Sequence, residues 1–145
     1  MEPLTLPRRD FLTRSATLSA LAVLAGACGD IGALTGPSNS VNKEITVKLS
    51  DYPALAQVGA AARINGVSPP LALVNLGNGA YAALSLVCPH QGATVQSSGN
   101  GFVCPSHGAR FAADGTWTGG QRTSSLRRYP TTYDAQAGTV LISPR

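Results

Sequence analysis

The most constraining feature of this sequence is the stretch Val87–Phe111, which holds two short loops that each pair one cysteine with one histidine. The first loop carries Cys88 and His90, and the second carries Cys104 and His107. The chain has only two histidines and three cysteines, so both histidines and all but one cysteine fall within this stretch. Thiolates and neutral imidazoles are metal ligands, and four of them make a complete ligand set. The stretch therefore predicts a metal site.

The spacing within each loop bears on which metal is bound. Structural zinc sites usually supply two closely spaced cysteines followed by two closely spaced histidines. Here each loop mixes the two residue types, as C-x-H and C-x-x-H, with 13 residues between the two motifs. This mixture suits two metal ions better than one, because each loop can give its sulfur to one ion and its nitrogen to the other. A zinc-stabilised binding module without a redox role stays the alternative.

At these residues the sequence resembles the Rieske iron–sulfur family, whose motif is C-x-H followed after a gap by C-x-x-H. The resemblance implies one Rieske-type 2Fe-2S cluster, with Cys88 and Cys104 on one iron and His90 and His107 on the other. A glycine follows each histidine by two residues in the first loop and by one in the second, which also fits the motif. The resemblance covers about the last hundred residues of the chain.

Several positions differ from the Rieske subunits of quinol-oxidising cytochrome bc-type complexes. Those proteins carry an additional cysteine in each loop, which form a disulfide, and this chain has Ala93 and Ser106 there. They also donate two hydroxyl hydrogen bonds to the cluster, from positions that are Ala109 and Phe111 here. Their Pro-containing covering loop is replaced by Gly119–Arg122. The resemblance is therefore to the disulfide-free, ferredoxin-like branch, and the bc-type subunit is the disfavoured alternative.

The function implied by the resemblance is the transfer of single electrons. Hydrogen bonds to cluster sulfur stabilise the more negative, reduced form, so the loss of both hydroxyl donors predicts a lower reduction potential. No general base, nucleophile or substrate cavity can be read from the sequence beside the cluster. We therefore expect an electron-transfer component of an oxidoreductase rather than a stand-alone catalyst, with redox proteins or a larger oxidoreductase subunit as partners.

The N-terminal segment, residues 1–28, resembles an export signal. Arg8-Arg9 followed by an Asp-Phe-Leu sequence is similar to the twin-arginine pattern, and a modest apolar run follows. The run of fourteen residues to Cys28 would rise about 21 Å as a helix, less than the about 30 Å of a bilayer core. Leu24–Cys28 resembles a bacterial lipobox, which predicts lipidation of Cys28 and an extracytoplasmic, membrane-anchored protein. Ala25–Ala27 also fits a plain cleavage site that would release a soluble protein.

The rest of the chain is predicted to be one all-β domain. Residues 29–42 are rich in Gly, Ser, Asn and Pro and are interpreted as a flexible linker, and residues 43–145 as the Rieske domain, with its cluster-binding part at about 86–122. From Glu44, polar and apolar residues alternate as in a strand. Asn65-Gly66 and Gly77–Gly79 are predicted turns, with the strands Ala61–Ile64 and Leu71–Val74 joined by the first. Many short strands at this spacing favour an antiparallel β-sandwich or barrel.

The charge distribution bears on partners. The formal net charge is +4, and four arginines follow the second loop, at positions 110, 122, 127 and 128. They either steer an acidic redox partner or form a solvated face, and the sequence leaves both readings open. Nucleic acid is not an expected partner, because the sequence has no basic run and no aromatic stacking platform.

Overall fold

The structure is a computed structural model, and it describes residues 40–144, which form eleven strands and two short 3-10 helices. The helices are Leu49–Asp51 and Pro53–Ala56. The strands are β1 (Ile45–Lys48), β2 (Ala61–Ile64), β3 (Leu71–Gly77), β4 (Ala80–Ser85), β5 (Gln96–Ser98), β6 (Gly101–Val103), β7 (Arg110–Ala112), β8 (Trp117–Gly119), β9 (Arg128–Tyr129), β10 (Thr131–Asp134) and β11 (Thr139–Ile142).

The strands form three antiparallel sheets, as the all-β prediction expected. The base sheet has the order β1-β11-β10, the central sheet β2-β3-β4-β9, and the loop sheet β5-β6-β7-β8. The prediction of an antiparallel all-β fold is confirmed. The segment 1–28, including Cys28, and linker residues 29–39 lie outside the described residues. In the part of the chain that the structure describes, no helix has the length and apolar character needed to cross a membrane.

The central sheet is buried on both of its faces. Leu71 and Leu73 of β3 pack with the core between this sheet and the base sheet. Ala72 and Val74 belong to the core that includes the loop sheet. All four are at most 1% exposed. Because neighbouring residues of a strand point to opposite faces, burial on both faces requires an uninterrupted apolar run, and the sequence has one here.

The connection between β2 and β3 differs from the predicted two-residue turn. Ile64 pairs with Leu71, so the loop has six residues, 65–70, rather than only Asn65-Gly66. The last two residues of this loop are Pro69 and Pro70. Proline has no N–H to donate to a strand ladder, which accounts for pairing that begins only at Leu71. The Asn-Gly pair does form a turn, but it is not the hairpin turn.

The tight hairpin turn lies instead between β3 and β4. Gly77 pairs with Ala80, and the two residues between them, Asn78 and Gly79, both have positive φ, of 52° and 73°. Two successive residues with positive φ are the signature of a type I′ turn, which matches the twist of antiparallel strands. The turn predicted at Gly77–Gly79 is thus present in the structure.

The folded domain extends further toward the N-terminus than the predicted boundary at residue 43. Val41 is only 3% exposed and packs in the core between the base and central sheets. The backbone of Val41 also hydrogen-bonds to the side chain of Tyr129. Val41 thus packs in the core although it lies within the predicted linker 29–42, where one apolar residue among polar neighbours gave no periodic signal.

Candidate metal centre

The two Cys/His loops lie next to each other at one end of the domain. The first loop joins β4 of the central sheet to β5 of the loop sheet, and the second joins β6 to β7 within the loop sheet. Because β5 and β7 both pair with β6, the two loops emerge from neighbouring strands. The structure therefore places the four predicted ligands on two adjacent loops: Cys88 and His90 on the first, Cys104 and His107 on the second.

The two loops share one backbone geometry. In each, the amide of the cysteine donates to the carbonyl five residues further on, and the amide four residues further on donates to the cysteine carbonyl. These N···O distances are 2.8 to 2.9 Å, and the bonds join Cys88 with Ala93 and Gly92, and Cys104 with Ala109 and Gly108. Both glycines have φ of 73°, a conformation that costs most side-chain-bearing residues about 1–2 kcal/mol. The turn geometry thus favours a glycine in each loop.

The two cysteine side chains form a buried pair. Cys88 is 2% exposed and Cys104 is 1% exposed, and their thiols hydrogen-bond to each other. In both loops the backbone amides two and three residues past the cysteine also hydrogen-bond to its sulfur. Amide N–H groups directed at sulfur stabilise negative charge there, which is the charge that a thiolate ligand carries.

The two thiols ionise differently. Burial raises the pKa of the Cys88 thiol above its ordinary value, and its hydrogen bond with Cys104 contributes in the same direction. Burial also opposes ionisation of Cys104, but the hydrogen bond from the Cys88 thiol and the two loop amides outweigh it, and the pKa of Cys104 is lowered.

The histidines form a second pair beside the thiols. The rings of His90 and His107 are perpendicular, with 4.9 Å between their centroids. His107 is exposed and His90 is partly buried. Nδ1 of His90 is buried and has no hydrogen-bond partner among the described residues. A buried polar atom without a partner costs free energy, so its position indicates a group that is bound there.

The donor set and its arrangement fit a 2Fe-2S cluster of the Rieske type. Two sulfurs lie together, two imidazoles lie together, and one imidazole nitrogen is directed into the interior without a partner. Cysteines on one iron and histidines on the other require this division into a sulfur pair and a nitrogen pair. Within residues 40–144, no three His, Cys, Asp or Glu side chains are grouped as a site for a single metal ion.

One hydroxyl near the thiols was missed by the sequence reasoning. Ala109 and Phe111, which replace the two hydroxyl donors of bc-type proteins, are buried at 1% and 3% exposure. The hydroxyl of Ser106, however, hydrogen-bonds to the sulfur of Cys104. The sequence signal for this donor was the serine two residues past the ligand cysteine. It was interpreted only as the absence of a disulfide-forming cysteine. The site thus keeps one hydroxyl donor rather than none.

The segment Gly119–Arg122 lies against the second ligand loop. A Cβ atom added at Gly120 would overlap the carbonyl oxygen of Gly108. Nε1 of Trp117 donates a hydrogen bond of 3.0 Å to the carbonyl of Gln121, which holds the segment in place. The sequence predicted only that the bc-type covering loop was absent. The structure shows that a glycine-containing segment supports the loop through backbone contact.

The fold and the paired ligand loops define a β-sheet iron–sulfur protein. The Rieske [2Fe-2S] domain model matches residues 46–130, which is more than half of the chain and includes both loops. The chain therefore belongs to the Rieske [2Fe-2S] domain family, as the resemblance predicted. Its cofactor is a Rieske-type 2Fe-2S cluster, and it is an electron-transfer protein of this family. No curated protein sequence matches the chain significantly.

Solved structures of Rieske proteins are similar to this one. The plasma membrane Rieske protein PetC3 from Synechocystis PCC 6803 is 31% identical over 56% of this chain and 85% of that chain, with a TM-score of 0.48. The quaternary ammonium Rieske monooxygenase CntA is 22% identical, covering 70% of this chain and 31% of that chain, with a TM-score of 0.57. A chain from the complex of reduced oxygenase and oxidised ferredoxin in carbazole 1,9a-dioxygenase is 25% identical over 71% of this chain and 94% of that chain, with a TM-score of 0.52. This chain thus spans about a third of the monooxygenase.

Proposed function

We propose that this protein is an electron carrier or small subunit that serves a larger oxidoreductase. The proposed cluster ligands are Cys88 and Cys104 for one iron and His90 and His107 for the other. The observation that carries the proposal is the buried Nδ1 of His90, which lacks a partner beside the buried thiol pair. No residue is assigned a catalytic role, because any substrate chemistry would belong to the partner.

The cluster supplies a centre that accepts and releases one electron. The residues of this chain stabilise the added charge, exclude water and provide a path to the surface. The loop amides and the Ser106 hydroxyl donate to the ligand sulfurs, and such donors offset the negative charge added on reduction. The buried side of the site is closed by apolar residues, including Val95 and Phe102, which keep water from the sulfurs. His107 is exposed, so the electron has a short path to the surface through its imidazole.

The likeness to a chain from the complex of oxygenase and ferredoxin supports a carrier role. This chain covers 94% of the matched chain in the complex of oxygenase and ferredoxin, but only 31% of the monooxygenase. We also propose an extracytoplasmic location with an anchor at Cys28, which the twin-arginine and lipobox patterns in residues 1–28 support.

The purified protein is expected to be coloured and to contain iron and acid-labile sulfide in equal amounts. One-electron reduction should produce an electron paramagnetic resonance signal, because reduction leaves one unpaired electron on the coupled iron pair. Visible absorption and paramagnetic resonance of protein produced with iron and sulfide available check this. A colourless protein that contains zinc, or no metal, would contradict the proposal.

The reduction potential is expected to lie below those of bc-type Rieske proteins, in the lower half of the family's range of about −150 to +300 mV. The reason is that one hydroxyl donor remains, from Ser106, where those proteins have two. Voltammetry measures the midpoint. Ser106→Ala should lower it by a further ~20–60 mV, the equivalent of one hydrogen bond, whereas Ser98→Ala on exposed β5 should leave it unchanged. A wild-type midpoint as high as those of bc-type proteins would refute the expectation.

A further inference from the structure

The structure separates the four arginines that follow the second ligand loop into two groups. Arg127 lies over the ring of Tyr129, with 5.8 Å from its guanidinium carbon to the ring centroid. Arg128 lies near Asp114: hydrogen bonds from Thr116, with a smaller contribution from Arg128, hold the pKa of Asp114 below its usual value. These two arginines interact within the domain itself. They are therefore not candidates for binding a partner protein.

The other two, Arg110 and Arg122, are exposed, and no ion pair involves either of them among residues 40–144. Arg110 opens β7 three residues after His107 and pairs with Gly119 across the ladder. Arg122 ends the segment whose Gly120 lies against the second ligand loop. The backbone of both arginines thus lies next to the loop that carries the exposed imidazole of His107.

All but one of the acidic residues of the described part lie beside or within the base sheet. From residue 52 to residue 133, Asp114 is the only acid in the sequence. The remaining acids of the described part lie beside or within the base sheet: Glu44 precedes β1, Asp51 follows it, and Asp134 ends β10. The charge is therefore distributed unevenly, with unpaired positive charge beside the exposed histidine and negative charge away from it.

We propose that Arg110 and Arg122 form a docking surface for carboxylate side chains of an acidic protein partner, which brings the partner's redox group to the edge of His107. The proposal rests on the proposed function, because it names the chemistry of the partner that exchanges the electron. Guanidinium groups bind carboxylates in a planar, bidentate manner, and opposite charges around a docking site raise association rates by about 10- to 1000-fold at low salt. Exposure of both arginines leaves them free to make such contacts.

The test uses the cluster-containing protein, reduced, and mixed in a stopped-flow instrument with cytochrome b5 as an acidic acceptor or cytochrome c as a basic one. Arg110→Glu and Arg122→Glu are each expected to lower the second-order rate constant with the acidic acceptor at least threefold, and the double variant about tenfold, at low ionic strength. The same variants should accelerate transfer to the basic acceptor. In 1 M salt, where the Debye length is about 3 Å, the differences should vanish.

Arg63→Glu is the matched control, because Arg63 is also an exposed arginine on a strand and gives the same change in net charge, but lies in β2 of the central sheet. It should change the rate by less than twofold. Equal rates for wild type and the double variant, or an equal loss in Arg63→Glu, would overturn the docking surface while the electron-carrier function stood. Absorption spectra and midpoints of all variants should match wild type, and Arg110→Gln and Arg122→Gln should show smaller losses in the same direction. A wild-type protein without a cluster would instead refute the proposed function.

Discussion

Cys104→Ser is expected to abolish cluster binding and to destabilise the whole domain. Serine offers a hydroxyl where iron requires a soft thiolate, and Cys104 is 1% exposed, so neither water nor another side chain can substitute. Loss of a structural metal site is one of the few causes of very large effects, and we expect the free energy of unfolding to fall by more than ~4 kcal/mol. Visible absorption, bound iron and chemical denaturation measure the three consequences.

Cys28→Ser is the matched control, since it makes the same replacement at the chain's remaining cysteine. It should keep full absorption and stability. It should also release the protein from the membrane fraction, because the proposed lipid anchor requires this thiol. Retention of a 2Fe-2S spectrum by Cys104→Ser would disprove the proposed ligand set, and a membrane-bound Cys28→Ser variant would disprove the anchor.

Gly120→Ala is expected to be the most damaging substitution outside the ligands. The added Cβ would overlap the carbonyl oxygen of Gly108, so one of the two backbone segments must move. Gly120 also has φ of 72°, which alone costs an alanine about 1–2 kcal/mol. We expect a loss of about 3 kcal/mol in the free energy of unfolding and faster loss of the cluster, because the displaced loop carries Cys104 and His107.

The Gly138→Ala variant separates the effect of Cβ overlap from the conformational cost of positive φ. Gly138 has φ of 62°, and a Cβ there would meet nothing within 4 Å. The free energy of unfolding of this variant should fall only by the conformational cost, about 1–2 kcal/mol, and the cluster should be retained as long as in wild type. Denaturation with urea and the rate at which absorption at the cluster band decays under chelator give the two readouts. Equal effects at both glycines would mean that contact with the ligand loop has no role.

Local sequence signals predicted the first three strands and the four proposed ligands. Alternation after Glu44 predicted β1, and Ala61–Ile64 is β2 with the predicted bounds. Asn78-Gly79 forms a hairpin turn because its two residues tolerate positive φ. Asn65-Gly66 has the same two residue types, yet the hairpin loop there is longer, because Pro69 and Pro70 prevent strand pairing before Leu71. A turn signal states where the chain can bend, and the residues after it decide where pairing starts.

The sequence by itself determined the all-β class and the two Cys/His loops, because both depend on spacings of a few residues along the chain. Only the tertiary structure decided which groups surround those loops. It placed Gly120 on the backbone of Gly108. It also placed Arg128 near Asp114, and left Arg110 and Arg122 exposed beside His107. Such contacts are made through space, by segments whose approach depends on the packing of whole sheets, and no local pattern encodes them.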